Sequence, residues 1–147
     1  RLFHITGTEA VPCPVCQGLL KYYDRRKRKA FNGRGEQEVY SLRRLRCCSC
    51  KRLHLELPWF LIPYKRYRLE VIEEVIAGRA EQAPVEERTR QKIKAWYRQI
   101  KPHFLGVWRF CITHGFASPK LSPVLATYVR ATVNSGFWPT HPLGRRI

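Results

Sequence analysis

The 147-residue sequence predicts an α+β fold, in which a three-stranded antiparallel β unit is followed by an all-helical part. Three observations predict it. Runs of alternating apolar and polar residues, separated by turn-forming residues, fill much of the N-terminal part. After Pro63, apolar residues recur every three or four positions, which is the period of an amphipathic helix. Two cysteine pairs enclose the two longest alternating runs.

The β unit, predicted over residues 1–62, has two long strand candidates and a short third one. The runs LLKYYDRRKRKAF and EVYSLRRLRC are separated by NGRGEQ, in which Asn32, Gly33 and Gly35 favour a hairpin turn. The third candidate, RLHLEL at residues 52–57, alternates apolar and polar side chains and is stopped by Pro58. Residues 1–12 carry little pattern.

The helical part, predicted over residues 63–147, begins after the apolar segment LPWFLIPYK, which we expect to pack the two parts together. YRLEVIEEVIAG predicts a first helix that ends at Gly78. PVEERTRQKIKAWYRQI predicts a second, with Pro84 near its start. The predicted apolar stripes of these two helices are Leu69, Ile72, Val75 and Ile76 for the first, and Ile93, Trp96, Tyr97 and Ile100 for the second.

Two further segments complete the helical part. HFLGVWRFC is expected to form a separate short helix after Pro102. SPVLATYVRATVNSG predicts a last helix, with Ser122 as its N-cap, Pro123 at its first position and Gly136 at its end. The Pro-rich tail FWPTHPLGRRI is expected to be irregular.

The cysteines form the strongest motif of the sequence. Cys13 and Cys16, then Cys47 and Cys50, make a C-x2-C…C-x2-C pattern, and four thiolates are a ligand set that tetrahedral zinc prefers. Because two strands and a turn lie between the pairs, the layout predicts a zinc ribbon with one structural Zn²⁺. Disulfides in a secreted protein are the alternative interpretation of six cysteines.

Three other side chains compete for a place in the metal site. Cys48 would form a C-x-C pair if it replaced Cys47, so we expect it to point aside. His54 is an alternative ligand, but its place in an alternating strand indicates a surface or groove residue. Cys111 lies on an apolar helix stripe and is expected to be a buried small hydrophobic residue.

The sequence carries no pattern typical of an enzyme. Four thiolates close the coordination sphere of a zinc ion, whereas a catalytic zinc keeps a position open. Asp24 is the only aspartate, so no carboxylate cluster for a two-metal nuclease is visible. We therefore expect a non-catalytic binding protein.

Charge is the dominant bulk property. The chain has 28 Lys and Arg against 11 Asp and Glu, a formal net charge of +17 at pH 7. So large a surplus favours a polyanionic partner, and nucleic acid leads. No membrane partner is expected, because no run of about 18 apolar residues is present. Whether the protein is a monomer or a homodimer is open.

The basic runs RRKRK and RRLR would flank the hairpin and make one cationic ribbon, and a second basic element is the helix EERTRQKIKAW. Placed after an apolar helix, it favours a helix-turn-helix that reads double-stranded DNA. The predicted contacts of the ribbon and of the segment after it are Arg25, Arg26, Lys27, Arg28, Lys29, Arg43, Arg44, Arg46, Lys51, Arg52, Lys65 and Arg66. Those of the helix are Arg88, Thr89, Arg90, Gln91, Lys92, Lys94 and Arg98.

RNA is the alternative partner. Aromatic residues interleave with the basic ones in the β unit, and proteins that bind single strands use such rings for stacking. The residues concerned are Tyr22, Tyr23, Phe31, Tyr40 and Tyr64.

Several of these motifs together resemble a known group. The two cysteine pairs, the R-x-R-C entry at residues 44–47, the run LHLELPWFLIPYKRY and the T-R-…-K-A-W helix are similar to bacterial zinc-ribbon proteins with a transposase-like zinc-binding domain. They also resemble the N-terminal zinc-ribbon and helix-turn-helix module of insertion-sequence transposases. The resemblance, over about residues 12–97, implies zinc at the four cysteines and DNA recognition by residues 86–98. It also implies a mobile-element accessory factor or transcription regulator, associated with the bacterial nucleoid in the cytoplasm.

Overall fold

The computed structural model describes residues 1–8, 10–79, 84–118, 120 and 124–139, and it has four strands followed by three helices. The α+β class predicted from the sequence is confirmed. The strands are β1 (Leu2–His4), β2 (Leu20–Phe31), β3 (Gln37–Cys47) and β4 (Leu53–Leu55). The helices are α1 (Leu69–Ile76), α2 (Glu87–Thr113) and α3 (Leu125–Asn134).

The sheet is mixed rather than wholly antiparallel. β2 and β3 form the predicted antiparallel hairpin, with a register shift between Tyr22 and Asp24. β4 pairs antiparallel with β3 near the cysteine end, and β1 pairs parallel with β3 beside Tyr40. Because β2 occupies one edge of β3 along its length, β1 and β4 share the other edge. The prediction of three strands was wrong, because the additional strand β1 lies in residues 1–12, where the sequence carries little pattern.

The hairpin turn lies where it was predicted. The side-chain oxygen of Asn32 accepts hydrogen bonds from the backbone N–H groups of Arg34 and Glu36, at 2.9 and 3.0 Å. Gly35 has a φ of +79°, a left-handed conformation that glycine adopts without strain.

The predicted break at Pro102 does not occur. α2 runs without interruption for 27 residues, and Pro102 lies inside it. A proline within a helix removes one backbone hydrogen bond and costs about 3 kcal/mol. A continuous buried stripe on both sides of the proline offsets that cost: Ile93, Trp96, Ile100, Phe104, Val107, Trp108 and Cys111.

The other two helices end at the predicted glycines. Gly78 follows α1 and Gly136 follows α3, each with a φ of +79°. The predicted N-cap and first residue of the last helix, Ser122 and Pro123, lie outside the described residues. In the described part, α3 is preceded by Val124, whose backbone N–H donates to the Thr127 hydroxyl at 2.9 Å.

Two apolar clusters form the core, and the segment before α1 joins them. Leu61 packs with Tyr40 and Leu42 under the sheet. The next residue, Ile62, packs with the helices in a cluster that includes Phe104. The expectation that residues 57–65 pack the two parts together is confirmed. The division into domains at residue 62 stays a prediction.

The C-terminal helix also reaches the cysteine end of the β unit. Arg130 of α3 donates to the carbonyl of Leu57 at 3.1 Å. A Cβ atom built on Gly136 would lie 2.6 Å from the carbonyl oxygen of Pro14, which lies between the first two cysteines. The segment after α3 and the first cysteine loop therefore approach each other closely. Among the described helices, none combines the length and apolar character that crossing a bilayer requires.

Candidate metal centre and cationic surface

The two cysteine pairs form loops of the same geometry. In the first loop the N–H of Cys13 donates to the carbonyl of Gly18 at 2.9 Å, and the N–H of Gln17 donates to the carbonyl of Cys13 at 2.8 Å. In the second loop Cys47 donates to the carbonyl five residues on at 3.0 Å, and Lys51 donates back to Cys47 at 3.1 Å. Gln17 and Lys51 both have a positive φ, of 65° and 64°. The two loops therefore present their sulfurs in the same way.

The four sulfurs face one another across the two loops. The ligand atoms of Cys13, Cys16, Cys47 and Cys50 all lie within 4.8 Å of one another. The Sγ atoms of Cys16 and Cys47 are 3.4 Å apart, and those of Cys13 and Cys50 are 3.7 Å apart. Tetrahedral zinc with Zn–S bonds of about 2.3 Å places its sulfurs about 3.8 Å apart. The group therefore fits a metal ion of this size and geometry.

Backbone amides favour the thiolate form of Cys47. The N–H groups of Cys50 and Ser49 both point at the Cys47 Sγ from 3.4 Å. The amide of Cys50, followed by that of Ser49, lowers the pKa of the Cys47 thiol to about 6, although desolvation opposes the shift. Because a metal binds thiolate rather than thiol, these amides prepare the sulfur for coordination.

The pKa of the Cys16 thiol is shifted in the opposite direction. The backbone N–H of Gly18 lowers the pKa of the Cys16 thiol, but the hydrogen bond with Cys47 and desolvation outweigh it and raise the pKa to about 11. A Cβ atom on Gly18 would lie 2.7 Å from the Cys47 sulfur. Pattern reasoning missed Gly18 and Ser49, since neither residue type is a metal ligand in this motif.

His54 lies closer to the site than a surface or groove residue would. It is half-buried on β4, and its Nε2 is 3.3 Å from the Sγ of Cys13. Burial, followed by the charge of Arg52, lowers the pKa of His54 and favours the neutral ring. Cys48 is exposed and outside the group of four, whereas Cys111 is buried in α2.

Two arginines predicted to contact phosphate are instead bound to backbone carbonyls. Arg25 donates to the carbonyl of Ser41 at 3.0 Å. Arg28 donates to the carbonyls of Ile62 and Lys65, the latter at 2.9 Å. Both guanidinium groups are half-buried, so they hold the sheet to its neighbouring segments.

Two more arginines form ion pairs within the chain. Arg43 binds both carboxylate oxygens of Glu56, at 3.0 and 2.7 Å. Arg44 binds both carboxylate oxygens of Asp24, the first at 2.6 Å. The hydrogen bond with Arg44 lowers the pKa of the Asp24 carboxyl, which therefore stays ionised. These pairs account for the only aspartate and bind two cations of the predicted contact set within the chain.

Lys65 of the predicted contact set is buried. Its side chain is 2% exposed, and its Nζ lies 4.5 Å from the centre of the Trp96 ring. Sequence reasoning grouped Lys65 with the exposed Arg66 because the two are adjacent in a basic segment. Burial lowers the pKa of Lys65 to about 8.

Burial of Lys65 predicts a rise of stability with pH. The pKa of Lys65 is about 8 in the folded state, below the value of 10.5 for a lysine exposed to water. Between these two pH values the unfolded state therefore binds more protons than the folded state. The free energy of unfolding of wild type relative to Lys65→Met is therefore expected to rise as pH increases from about 8 to 10.5. Chemical denaturation across this range measures it, with exposed Lys92→Met as control. A pH-independent difference would contradict the burial of a charged amine.

The remaining residues of the predicted contact set differ in how far their side chains are exposed. Thr89, Arg90 and Lys94 are half-buried on α2, and Gln91 donates to Glu87 at 2.7 Å. The exposed members are Arg26, Lys27, Lys29, Arg46, Lys51, Arg52, Arg66, Arg88, Gln91, Lys92 and Arg98.

One face of the hairpin gathers exposed cations around a tyrosine. The strand register puts Lys21 opposite Arg46, and Arg26 lies further along the same face. The guanidinium groups of Arg44 and Arg46 lie 5.4 and 6.0 Å from the centre of the exposed Tyr23 ring. We call Lys21, Tyr23, Arg26 and Arg46 the hairpin patch. Sequence reasoning omitted Lys21 because it lies outside the two basic runs.

The helix-turn-helix arrangement stays a prediction. Residues 77–86 separate α1 from α2, whereas the turn of a helix-turn-helix has three or four residues. The resemblance to transposase modules also stays a prediction.

Comparisons with known proteins identify a family but no function. Neither the curated proteins nor the solved structures contain a match. One family model, described as a domain of unknown function, matches residues 13–96. The matched region begins at the first metal-site cysteine, ends in α2 and covers more than half of the 147 residues. The chain therefore belongs to the DUF6431 family.

Proposed function

We propose that this chain is a non-catalytic, sequence-specific double-stranded DNA-binding protein, in which one structural Zn²⁺ holds a cationic β hairpin in place. The observation that carries the proposal is the hairpin patch, a group of exposed cations that begins at Arg46, directly before Cys47. The biological role that fits is a mobile-element accessory factor or a transcription regulator.

Ion pairing within the β unit strengthens the electrostatic argument. Residues 17–66 contain four acids, and each lies beside an arginine. The pairs are Asp24 with Arg44, Glu36 with Arg34, Glu38 with Arg68, and Glu56 with Arg43. These four ion pairs use arginines that lie outside the hairpin patch, and the exposed cations of the patch can attract phosphates.

The metal site explains how these cations are held in position. Arg46 directly precedes Cys47, while Lys51 and Arg52 directly follow Cys50. A tetrahedral ion bound to both loops would fix the backbone from which these side chains extend. Four thiolates saturate zinc, so a structural rather than catalytic ion suits this group.

One observation favours RNA as the second candidate. Tyr22, Tyr23 and Tyr64 are 60%, 48% and 58% exposed. Exposed rings among cations can stack on unpaired bases, which single-stranded RNA offers and a closed duplex does not.

Binding measured over a range of salt concentrations tests the proposal. Duplex DNA, single-stranded DNA and structured RNA of equal length are titrated between about 50 and 200 mM salt. We expect the duplex to be preferred over the whole range. For Lys21→Gln with Arg46→Gln, the slope of log K against log salt should fall by roughly 1.8, about 0.9 for each lost phosphate contact.

Matched charge changes elsewhere provide the control. Arg79 and Lys101 are exposed and lie outside the hairpin patch, so Arg79→Gln with Lys101→Gln should leave most of the salt slope unchanged. RNA binding that equals or exceeds duplex binding at every salt concentration would refute the DNA proposal. An unchanged salt slope in the Lys21 and Arg46 variant would mean that the hairpin patch does not contact the DNA phosphates.

A further inference from the structure

An aromatic cleft lies between the first cysteine loop and the C-terminal helices. It has a volume of about 610 Å³, within the range of small-molecule sites. Its lining includes Gln17 of the first cysteine loop and Trp59 from the N-terminal part, and Phe110, Phe116 and Phe137 from the C-terminal part. The cleft is therefore built from both halves of the chain.

The rings of the cleft are unusually open to solvent. Phe116 is 70% exposed, Trp59 63%, Phe137 44% and Phe110 39%. Phe110 stacks on His114, with ring centres 4.1 Å apart and planes inclined by 28°. A contiguous patch of large, exposed apolar side chains indicates a binding surface.

The positive charge of the C-terminal part, which supplies most of the cleft, favours an anionic occupant. From residue 88 to the end, the sequence has 11 Lys and Arg and no Asp or Glu. Arg130 lines the cleft, and Arg109 is exposed next to Phe110. Flat open rings bind flat aromatic groups by stacking, while the cations attract negative charge. A nucleotide combines an aromatic base with a phosphate.

We propose that the aromatic cleft binds an unpaired nucleotide, with its base stacked on the exposed phenylalanine or tryptophan rings. This inference rests on the proposed nucleic-acid binding and defines the substrate class more narrowly. A second copy of the chain is a poor occupant, because two chains of charge +17 repel each other. A membrane surface is also disfavoured, since the rings line a concave cleft instead of protruding from a convex face.

The cleft and the hairpin patch adjoin the same metal centre. Gln17 follows Cys16, whose sulfur is 3.4 Å from that of Cys47, and Arg46 precedes Cys47. A nucleic acid can therefore place duplex phosphates on the hairpin patch and an unpaired nucleotide in the cleft. The substrate class is a duplex with a single-stranded extension.

Fluorescence anisotropy with three labelled DNAs tests this inference: a blunt duplex, the same duplex with a short single-stranded extension, and the single strand alone. Wild type is expected to bind the extended duplex most tightly. Phe110→Ala with Phe116→Ala should weaken binding of the extended duplex about 10-fold, the contribution expected of a base–aromatic stack. Binding of the blunt duplex and the salt slope should not change, because stacking releases no counterions.

Control variants separate stacking from misfolding. Leu2→Ala removes an exposed apolar side chain outside the cleft and should leave the preference for the extended duplex intact. Phe116→Ala alone changes the most exposed ring of the cleft and is expected to give part of the loss with an unchanged melting temperature.

The failures of the two proposals are distinguishable. If wild type binds none of the three DNAs, nor RNA, the proposed function fails. If it binds the blunt duplex but gains nothing from the extension, or if the cleft variant weakens both duplexes equally, only the nucleotide cleft is overturned. Binding to vesicles of anionic lipid that the cleft variant loses, together with unchanged DNA binding, would assign the cleft to a membrane and also overturn it.

Discussion

Cys47→Ser is expected to abolish metal binding by the four-cysteine group and to unfold the four-stranded sheet, whereas Cys48→Ser is expected to do neither. Cys47 is fully buried, 3.4 Å from the sulfur of Cys16, and accepts two backbone N–H groups. Cys48 is exposed and lies outside the group of four sulfurs. The two changes are chemically identical and one residue apart, so only the place in the fold differs.

The expected effect is large because metal binding and folding are coupled. Structural zinc contributes an apparent free energy of about 10–16 kcal/mol in small domains, against a total stability of about 5–15 kcal/mol for a typical domain. The sheet has only a small apolar cluster, with Ala30, Tyr40, Leu42 and Leu61 as its buried members. Without the ion, this cluster is not expected to hold two long strands together.

Metal content and thermal unfolding measure the outcome. We expect one zinc ion per chain in wild type and in Cys48→Ser, and less than one in Cys47→Ser. A strong chelator should lower the melting temperature of wild type and of Cys48→Ser alike. A Cys47→Ser protein that keeps its metal and its melting temperature would refute a structural role for the four cysteines.

Phe104→Ala is expected to destabilise the helical part by about 3–5 kcal/mol, as is usual for deleting a fully buried aromatic ring. Phe104 is 0% exposed. Its ring lies 5.8 Å from that of Tyr128 on α3, 6.2 Å from that of Trp96 and 5.9 Å from that of Trp138, measured between ring centres. The residue therefore joins α2, α3 and the segment after α3.

Phe110→Ala in the same helix is the matched control. Phe110 is 39% exposed, so its removal leaves little cavity and should cost far less. Thermal unfolding compares the two, and we expect Phe104→Ala to lower the melting temperature by roughly 10 °C. Equal shifts for the two variants would mean that Phe104 does not join the helices as described.

Much of the fold follows from local pattern. The hairpin turn at Asn32 and the helix ends at Gly78 and Gly136 were predicted from residues whose backbone preferences are strong. The long strands were visible because alternation over ten residues is a clear signal. β1 was missed because its pairing with a distant strand leaves no local pattern. The continuity of α2 was missed because Pro102 predicts a break, and the core that stabilises the helix on both sides of the proline forms only in the folded chain.

The candidate site shows the same division. Cysteine spacing alone named the four residues whose sulfurs lie within 4.8 Å of one another. The basic runs correctly indicated a cationic hairpin but could not separate exposed from internal cations. Arg43 and Arg44 are bound to carboxylates, and Lys65 is buried, whereas Lys21 joins the exposed set through its position opposite Arg46.

Spacing, periodicity and composition are properties of the chain as written, and they were enough to predict the α+β class, the four-cysteine group and the excess of positive charge. Which cations stay exposed, and where they gather, depends on the tertiary structure. It also brought Gln17, Trp59 and Phe110, far apart in the chain, around one cleft. Burial, ion pairing and the closure of a cleft depend on contacts between distant residues, and those contacts exist only once the chain has folded.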